Sequence, residues 1–466
     1  EFTDHHVGRL FEAIENLGIA DDTLVYYIIG DNGASAEGSF NGCFNEMSYF
    51  NGLQSLETAE YLTERIDKLG GPESYNHFAV GWAHALNTPY QWTKQVASHF
   101  GGTRNGTIVH WPKGIQAKGE LRTHFAHVID VAPTILEAAG IPEPVSVDGI
   151  QQDPIDGVSM LKTFNDAKAP EVHETQYFEV MGNRAIYHKG WTAVTKHYTP
   201  WIPNVKPALD DDVWELYDTT TDWAQAKDLS KEMPDKLREL QRLWIIEATR
   251  NKVLPIDDRM FEKINPDTAG RPTLVKGKTQ LLAGGMSHLG ENCVLNIKNK
   301  SHSVTAAIVV PQGGAEGVII AQGADIGGWS LYAKGGKLKY CYNWGGFKHF
   351  MIEGASVMAP GEHQVRMEFA YAGGGLGKGG KVTLYVDGQK DGEGEVGATL
   401  AMIFSADDGL DVGKDGGSAV SPDYKPGNNS FNGKVKGVQL AIDEAAEDLD
   451  HLLDPADVIR MAMARQ

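Results

Sequence analysis

Residues 23–32 read TLVYYIIGDN. A run of β-branched and aromatic side chains, residues 24–29, stops abruptly at Gly30-Asp31-Asn32-Gly33. Such a run between turn signals predicts a strand buried on both faces, as in the parallel sheets of α/β proteins. An acid and an amide at its carboxyl end stand where open α/β folds place their sites. Asp31 and Asn32 would then offer two oxygen ligands to a hard divalent cation, Ca²⁺ or Mg²⁺. The same letters also spell an Asp-Asn-Gly turn that only punctuates the chain.

Outward from this stretch, residues 1–264 read as α/β. Phe11, Ile14 and Leu17 recur as one apolar helix face before the strand. Residues 34–92 form a long connection, Gly- and Asn-rich at first and helical around 56–69; such connections usually cover a binding site. Residues 107–111 (TIVHW) read as a second short buried strand, stopped by Pro112. A helix with Pro133 near its first turn should end at Gly140, and another should span 234–250. A linker follows at 265–280, opened by NPDTAGRP.

Short alternating strands then predict an all-β sandwich over 281–445, at 304–310, 317–322, 329–333, 338–343, 364–370, 381–386 and 434–440. Residues 446–466 read as a helical tail. The Gly-rich run 373–380 lacks the Ser or Thr and the helix of a phosphate loop, so it reads as a hairpin loop. Trp329 or Trp344 could stack on sugars if exposed; either could equally be a core aromatic.

Composition narrows the function. Of 466 residues, 62 are acidic and 42 are Lys or Arg, a formal net charge of −20. That excludes a nucleic-acid partner, which needs basic stripes, and disfavours an acidic membrane surface. No apolar run approaches the roughly 20 residues of a membrane span. Three cysteines (Cys43, Cys293, Cys341) at unpaired spacings exclude a disulfide framework or a Cys-rich zinc site, and free buried thiols are expected.

Six pieces, in order, resemble the sulfatase family of the alkaline-phosphatase-like superfamily. They are Val7-Gly8-Arg9-Leu10 running to Leu17-Gly18, the 23–33 stretch, Lys94 ahead of Gly101-Gly102-Thr103-Arg104, IDVAPT at 129–134 running to Ala139-Gly140-Ile141, DGVSM at 156–160, and WELYD at 214–218. The runs NGCFNEM and KQVASHFGGTRNGTIVHWPKGI look like a bacterial arylsulfatase subgroup. Residues 317–334 and 381–394 are similar to concanavalin-like (laminin-G-like) jelly rolls.

The resemblance implies hydrolysis of a small-molecule or sugar sulfate ester, with Asp31 and Asn32 holding part of one divalent cation, Ca²⁺ in first place and Mg²⁺ or Mn²⁺ as alternatives. Related zinc phosphatases carry Asp-His there, because imidazole suits Zn²⁺ better than an amide does. Lys94 looks like the family's sulfate-contacting, catalytic lysine. The family usually has an acid just before Gly-Gly and a spacing one residue shorter. Here His99-Phe100 stands instead, so His99 either shares the substrate contact or is a hydrogen-bonded scaffold histidine. Arg104 is expected to pin the Gly-Gly turn, and Glu37 and Glu46 to lie behind the metal strand. His5, His6, His124 and His127 read as scaffold or surface. The signature Cys/Ser-x-Pro-x-Arg, whose first residue becomes formylglycine, is absent from these residues. The chain therefore reads as the C-terminal portion of a longer protein, inactive alone. Its missing N-terminal part would carry the formylglycine and two further aspartates, and would cover a sheet edge left open here. Two other readings stay open: a phosphonate or phosphate ester hydrolase of the same superfamily, and a non-catalytic carbohydrate-binding protein.

Overall fold

The computed structural model describes the chain except for Asp31, Pro203, Asn204, Lys206, residues 447–449 and 464–466, and the side chains of Phe261 and Ala462. The chain divides into two compact units, Glu1–Phe40 with Val80–Asp258, and Asn41–Ala79 with Arg259–Gln466.

In the first unit, helix Phe2–Asn16 leads into strand Val25–Ile29. This strand pairs with Gly106–His110, Val25 facing His110 and Ile29 facing Gly106. Both strands were expected, but the pairing is antiparallel and two-stranded, and neither strand is buried on both faces. The apolar run encodes extended backbone; which neighbours cover it is a property of the partners, and among the described residues only one strand pairs here. The helix likewise buries no residue, and Leu17 is exposed rather than part of a covered face.

The rest of this unit is better covered. Helix Val131–Ala139 ends at left-handed Gly140, where a residue without Cβ is at no disadvantage. Strands Thr175–Val180, Asn183–His188, Trp191–Thr195 and Glu215–Asp218 make a four-stranded antiparallel meander. Helix Pro234–Arg250 lays Leu240, Trp244 and Ala248 on its Ile186, Ala193 and Leu216.

The second unit is a sandwich of a six-stranded and a five-stranded sheet, antiparallel throughout. All seven predicted strands are present. Thr279–Ala283, Lys348–Val357, Gln389–Ala398 and Leu410–Val412 join them; the third is Gly- and Glu-rich and carries little β signal. Residues 372–377 link a hairpin. Trp329 is fully buried in the core, with its indole N–H donated to Gln322 Oε1 at 3.1 Å, so it offers no sugar-stacking face. Trp344 is half-buried against the same core.

Residues 41–79, expected over a binding site, are built onto this sandwich. Asn45 Nδ2 donates to the carbonyls of Ile326 and Gly345, Asn51 Nδ2 to that of Ile403, and the Tyr75 hydroxyl to Asp407. All three cysteines are free; Cys43 and Cys341 are buried as expected and Cys293 is exposed.

Candidate functional site

Gly30, with φ +84°, turns the chain out of strand Val25–Ile29. Asp31 lies outside the described residues; Asn32 is half-buried. Gly33 meets Gly101 so closely that a Cβ would fall 1.5 Å from the Gly101 carbonyl oxygen, and its N–H donates to Gly102 O at 3.3 Å. The Gly-Gly turn is thus a contact surface, where two backbones pass without side chains between them.

Asn87 bolts this junction. Its Oδ1 accepts from Ala34 N–H at 2.9 Å, while its Nδ2 donates to Trp92 O at 3.0 Å and Gly101 O at 2.9 Å. Lys94 N–H donates to Ala34 O at 3.1 Å. The structure therefore places Lys94 beside the turn that carries Asn32, although more than sixty positions separate them in sequence.

Lys94 sits in a strained loop: Trp92 and Gln95 both take left-handed φ, at +67° and +74°. For side chains of this bulk such φ values are unusual and persist only when the surroundings hold them. The Lys94 ammonium lies 3.0 Å from Glu37 Oε2, and Gln95 Nε2 donates to Glu37 Oε1 at 2.8 Å. Ser35 Oγ donates to the same carboxylate. Burial alone would push the Glu37 carboxyl up; the Ser35 hydroxyl, the Lys94 ammonium and the Gln95 amide outweigh it and hold it below its ordinary range. Glu37 is buried, whereas the Lys94 side chain keeps 35% of its surface exposed. The ammonium faces Glu37.

His99 sits differently. Its ring is 1% exposed, with Nδ1 at 2.9 Å from Ser98 Oγ and Nε2 at 3.0 Å from Glu215 Oε2. The His99 hydrogen bond is the main reason the Glu215 carboxyl is held low. Both ring nitrogens are used within the fold, tying the Gly-Gly turn to strand Glu215–Asp218. Gln225 adds a second tie, accepting from Phe100 N–H at 2.8 Å and donating to Thr192 Oγ1 at 3.1 Å. Arg104 lies over the Tyr90 and Phe100 rings, at 5.2 and 5.5 Å, and donates to Trp223 O.

The remaining sequence candidates lie elsewhere. Glu46 opens a short helix, Glu46–Phe50, in the second unit. His124 Nε2 donates to Ala169 O at 2.7 Å, and His127 caps the turn before helix Val131–Ala139. His5 and His6 are on the exposed face of the first helix.

For a cation, Asn32 supplies one hard, neutral oxygen donor. No group of three or more His, Cys, Asp and Glu side chains able to hold a metal occurs among the described residues. The described residues alone do not make a cation site.

Sequence reasoning missed Asn87 and Asn183. Asn183, fully buried at the start of its strand, donates from Nδ2 to Gln95 O at 3.0 Å and accepts at Oδ1 from His197 N–H at 2.9 Å. Amides that bolt backbones together carry no periodic signal, so only their polarity in an apolar context could have pointed to them.

Two family models match. Residues 1–141 match the model described as Sulfatase, and residues 93–243 match the model described as N-sulphoglucosamine sulphohydrolase, C-terminal. An uncharacterised sulfatase of Schizosaccharomyces pombe is 29% identical over 268 residues, covering 57% of this chain and 45% of that protein. An arylsulfatase of Klebsiella aerogenes is 27% identical over 179 residues, covering 38% of this chain and 35% of that protein. The chain thus spans less than half the length of either relative.

Proposed function

The chain belongs, over residues 1–243, to the sulfatase family of the alkaline-phosphatase-like superfamily, and from that premise we propose that its first unit serves the hydrolysis of sulfate monoesters. The observation that carries this reading is Lys94, whose ammonium is pinned by buried Glu37 next to the Asn32 turn and whose side chain stays partly open to solvent.

Cleaving a sulfate ester places growing negative charge on the sulfuryl oxygens. An ammonium fixed before the substrate arrives stabilises that charge without reorganising during the reaction. Glu37 holds the Lys94 side chain in place. Lys94 is the catalytic, substrate-contacting group in this reading, whereas His99 acts as a positioning residue that keeps the Gly-Gly turn against the meander. Asp31 and Asn32 would hold a divalent cation, Ca²⁺ by resemblance, which when bound polarises the sulfate as a Lewis acid. The nucleophile of the family, a formylglycine, has no precursor motif in these residues; the intact enzyme would take it from sequence outside them. The substrate is a small or sugar sulfate ester.

Binding of 4-nitrophenyl sulfate by the 466-residue chain, followed by calorimetry, tests the central claim. Lys94→Ala should weaken it about tenfold, the worth of one hydrogen bond to a charged group, and Lys94→Arg should recover part of the loss. Equal affinity in wild type and Lys94→Ala, with both folded by circular dichroism, would sink the reading. Tighter binding of 4-nitrophenyl phosphate than of the sulfate would redirect it to phosphate esters.

A further inference from the structure

We propose that Trp92, Trp201 and Lys196 form a ledge beside Lys94 that receives the leaving group, and that this group is a sugar or aryl ring bearing a second anionic substituent. The inference rests on the sulfate-binding reading of Lys94 and specifies the substrate class for that same site.

The ledge is built from two loops of the first unit. Trp92 lies two residues before Lys94; Lys196 and Trp201 follow strand Trp191–Thr195. The two indole rings lie 6.1 Å apart, tilted by 31°. The Lys196 ammonium stands 4.9 Å from the centre of the Trp92 ring and reaches Thr199 Oγ1 at 3.2 Å. It pairs with no carboxylate among the described residues. In a chain of net charge −20, a half-buried lysine without an acid partner among the described residues, its ammonium set on an aromatic ring, is a place prepared for an anion from outside.

Hydrogen bonds tie the backbone beneath. Asn183 joins the two loops through Gln95 O and His197 N–H. His197, next to Lys196, is buried with Nδ1 2.8 Å from Asp212 Oδ1. Gly182, at φ +86°, allows that ring its place: a Cβ there would fall 2.5 Å from His197 Cδ2. Tyr198 is buried too and donates its hydroxyl to Pro200 O at 3.2 Å, which fixes the approach of Trp201. Trp92 keeps its left-handed φ of +67° at a cost of about 1–3 kcal/mol for such backbone, so its placement is maintained against local preference.

The chemistry follows from these groups. Indole faces take the apolar face of a sugar or an aryl ring, and the ammonium takes a sulfate or carboxylate carried on it. A neutral alkyl leaving group would use neither.

The test uses the 466-residue chain, calorimetry and tryptophan fluorescence with three probes: inorganic sulfate, glucosamine 6-sulfate, and glucosamine sulfated at both N2 and O6. Wild type should bind the doubly sulfated sugar about tenfold tighter than the singly sulfated one, the worth of a charge-assisted hydrogen bond. Lys196→Ala should erase that difference while leaving inorganic sulfate binding unchanged, and Lys196→Arg should restore it. Trp201→Ala should weaken both sugars and spare inorganic sulfate. Lys94→Ala should weaken all three; if it changes none, the sulfate reading itself fails. If Lys94→Ala weakens all three but Lys196→Ala keeps the twofold-charge preference, the ledge alone is refuted. No binding of any probe by wild type overturns both.

Discussion

At the scale of single residues, Glu37 decides how Lys94 behaves. Its carboxyl is held below its ordinary range in the folded protein, so by linkage the contribution is present above the unfolded value of about 4.3 and is lost as pH falls through the depressed folded one. Urea unfolding between pH 6 and 3 should therefore show an acid-side loss of stability that is shallower in Glu37→Gln; superimposable profiles would remove Glu37 from this role. A second residue-scale outcome concerns Gly101, where a Cβ would fall 2.2 Å from both the Gln91 and Trp92 carbonyl oxygens. Gly101→Ala should destabilise by about 1–3 kcal/mol, as overpacking does, and should disturb Lys94 through the Trp92 carbonyl that Asn87 holds. Lys94 was legible in the sequence because a lysine ahead of a Gly-Gly-x-Arg turn is a local pattern. Glu37 could only be placed near the strand, and Asn87 not at all, because their roles consist of reaching across to segments distant in the chain.

At the scale of elements, a buried pair anchors the start of helix Val131–Ala139. Asp130 is fully buried, accepts from Val158 and His127 N–H groups, and lies 2.8 Å from His173 Nδ1. Burial works against both charges, yet each partner outweighs it: the Asp130 carboxyl is held low and the His173 imidazole is raised. Stability from Asp130 is present above its ordinary value and lost in acid; stability from His173 is complete below about 6.5 and lost as pH rises through its raised value. His173→Gln should cost about 3–5 kcal/mol near pH 6, the loss typical of breaking one side of a buried pair, and should flatten the alkaline limb between pH 6.5 and 9. An unchanged alkaline limb in chemical denaturation would show that His173 is neutral in the native state. The IDVAPT pattern announced this helix and its Gly140 stop, but nothing in it announces His173, which arrives from a separate loop. The sandwich shows the same division: strands rich in Val, Ile and Tyr were legible, whereas the Gly- and Glu-rich Gln389–Ala398 exists because its neighbour offers an edge to pair with.

At the scale of the molecule, the strand pair Val25–Ile29 and Gly106–His110 leaves Ile29 and Ile108, which share one face, exposed at 53% and 55%. Its outer edges pair with no other strand among the described residues. An apolar face with open strand edges is a template for association, while the net charge of −20 opposes contact between copies. The two effects respond oppositely to salt: screening shortens the reach of charge repulsion from about 30 Å at 0.01 M ionic strength to about 8 Å at 0.15 M, and leaves hydrophobic contact intact. The chain should therefore be monomeric at low ionic strength and associate as salt rises, read by light scattering behind a sizing column. Ile29→Lys with Ile108→Lys should suppress that association and lower the binding of a hydrophobic dye. Salt-independent mass in the wild type, or association undiminished in the double variant, would place the contact elsewhere on the surface.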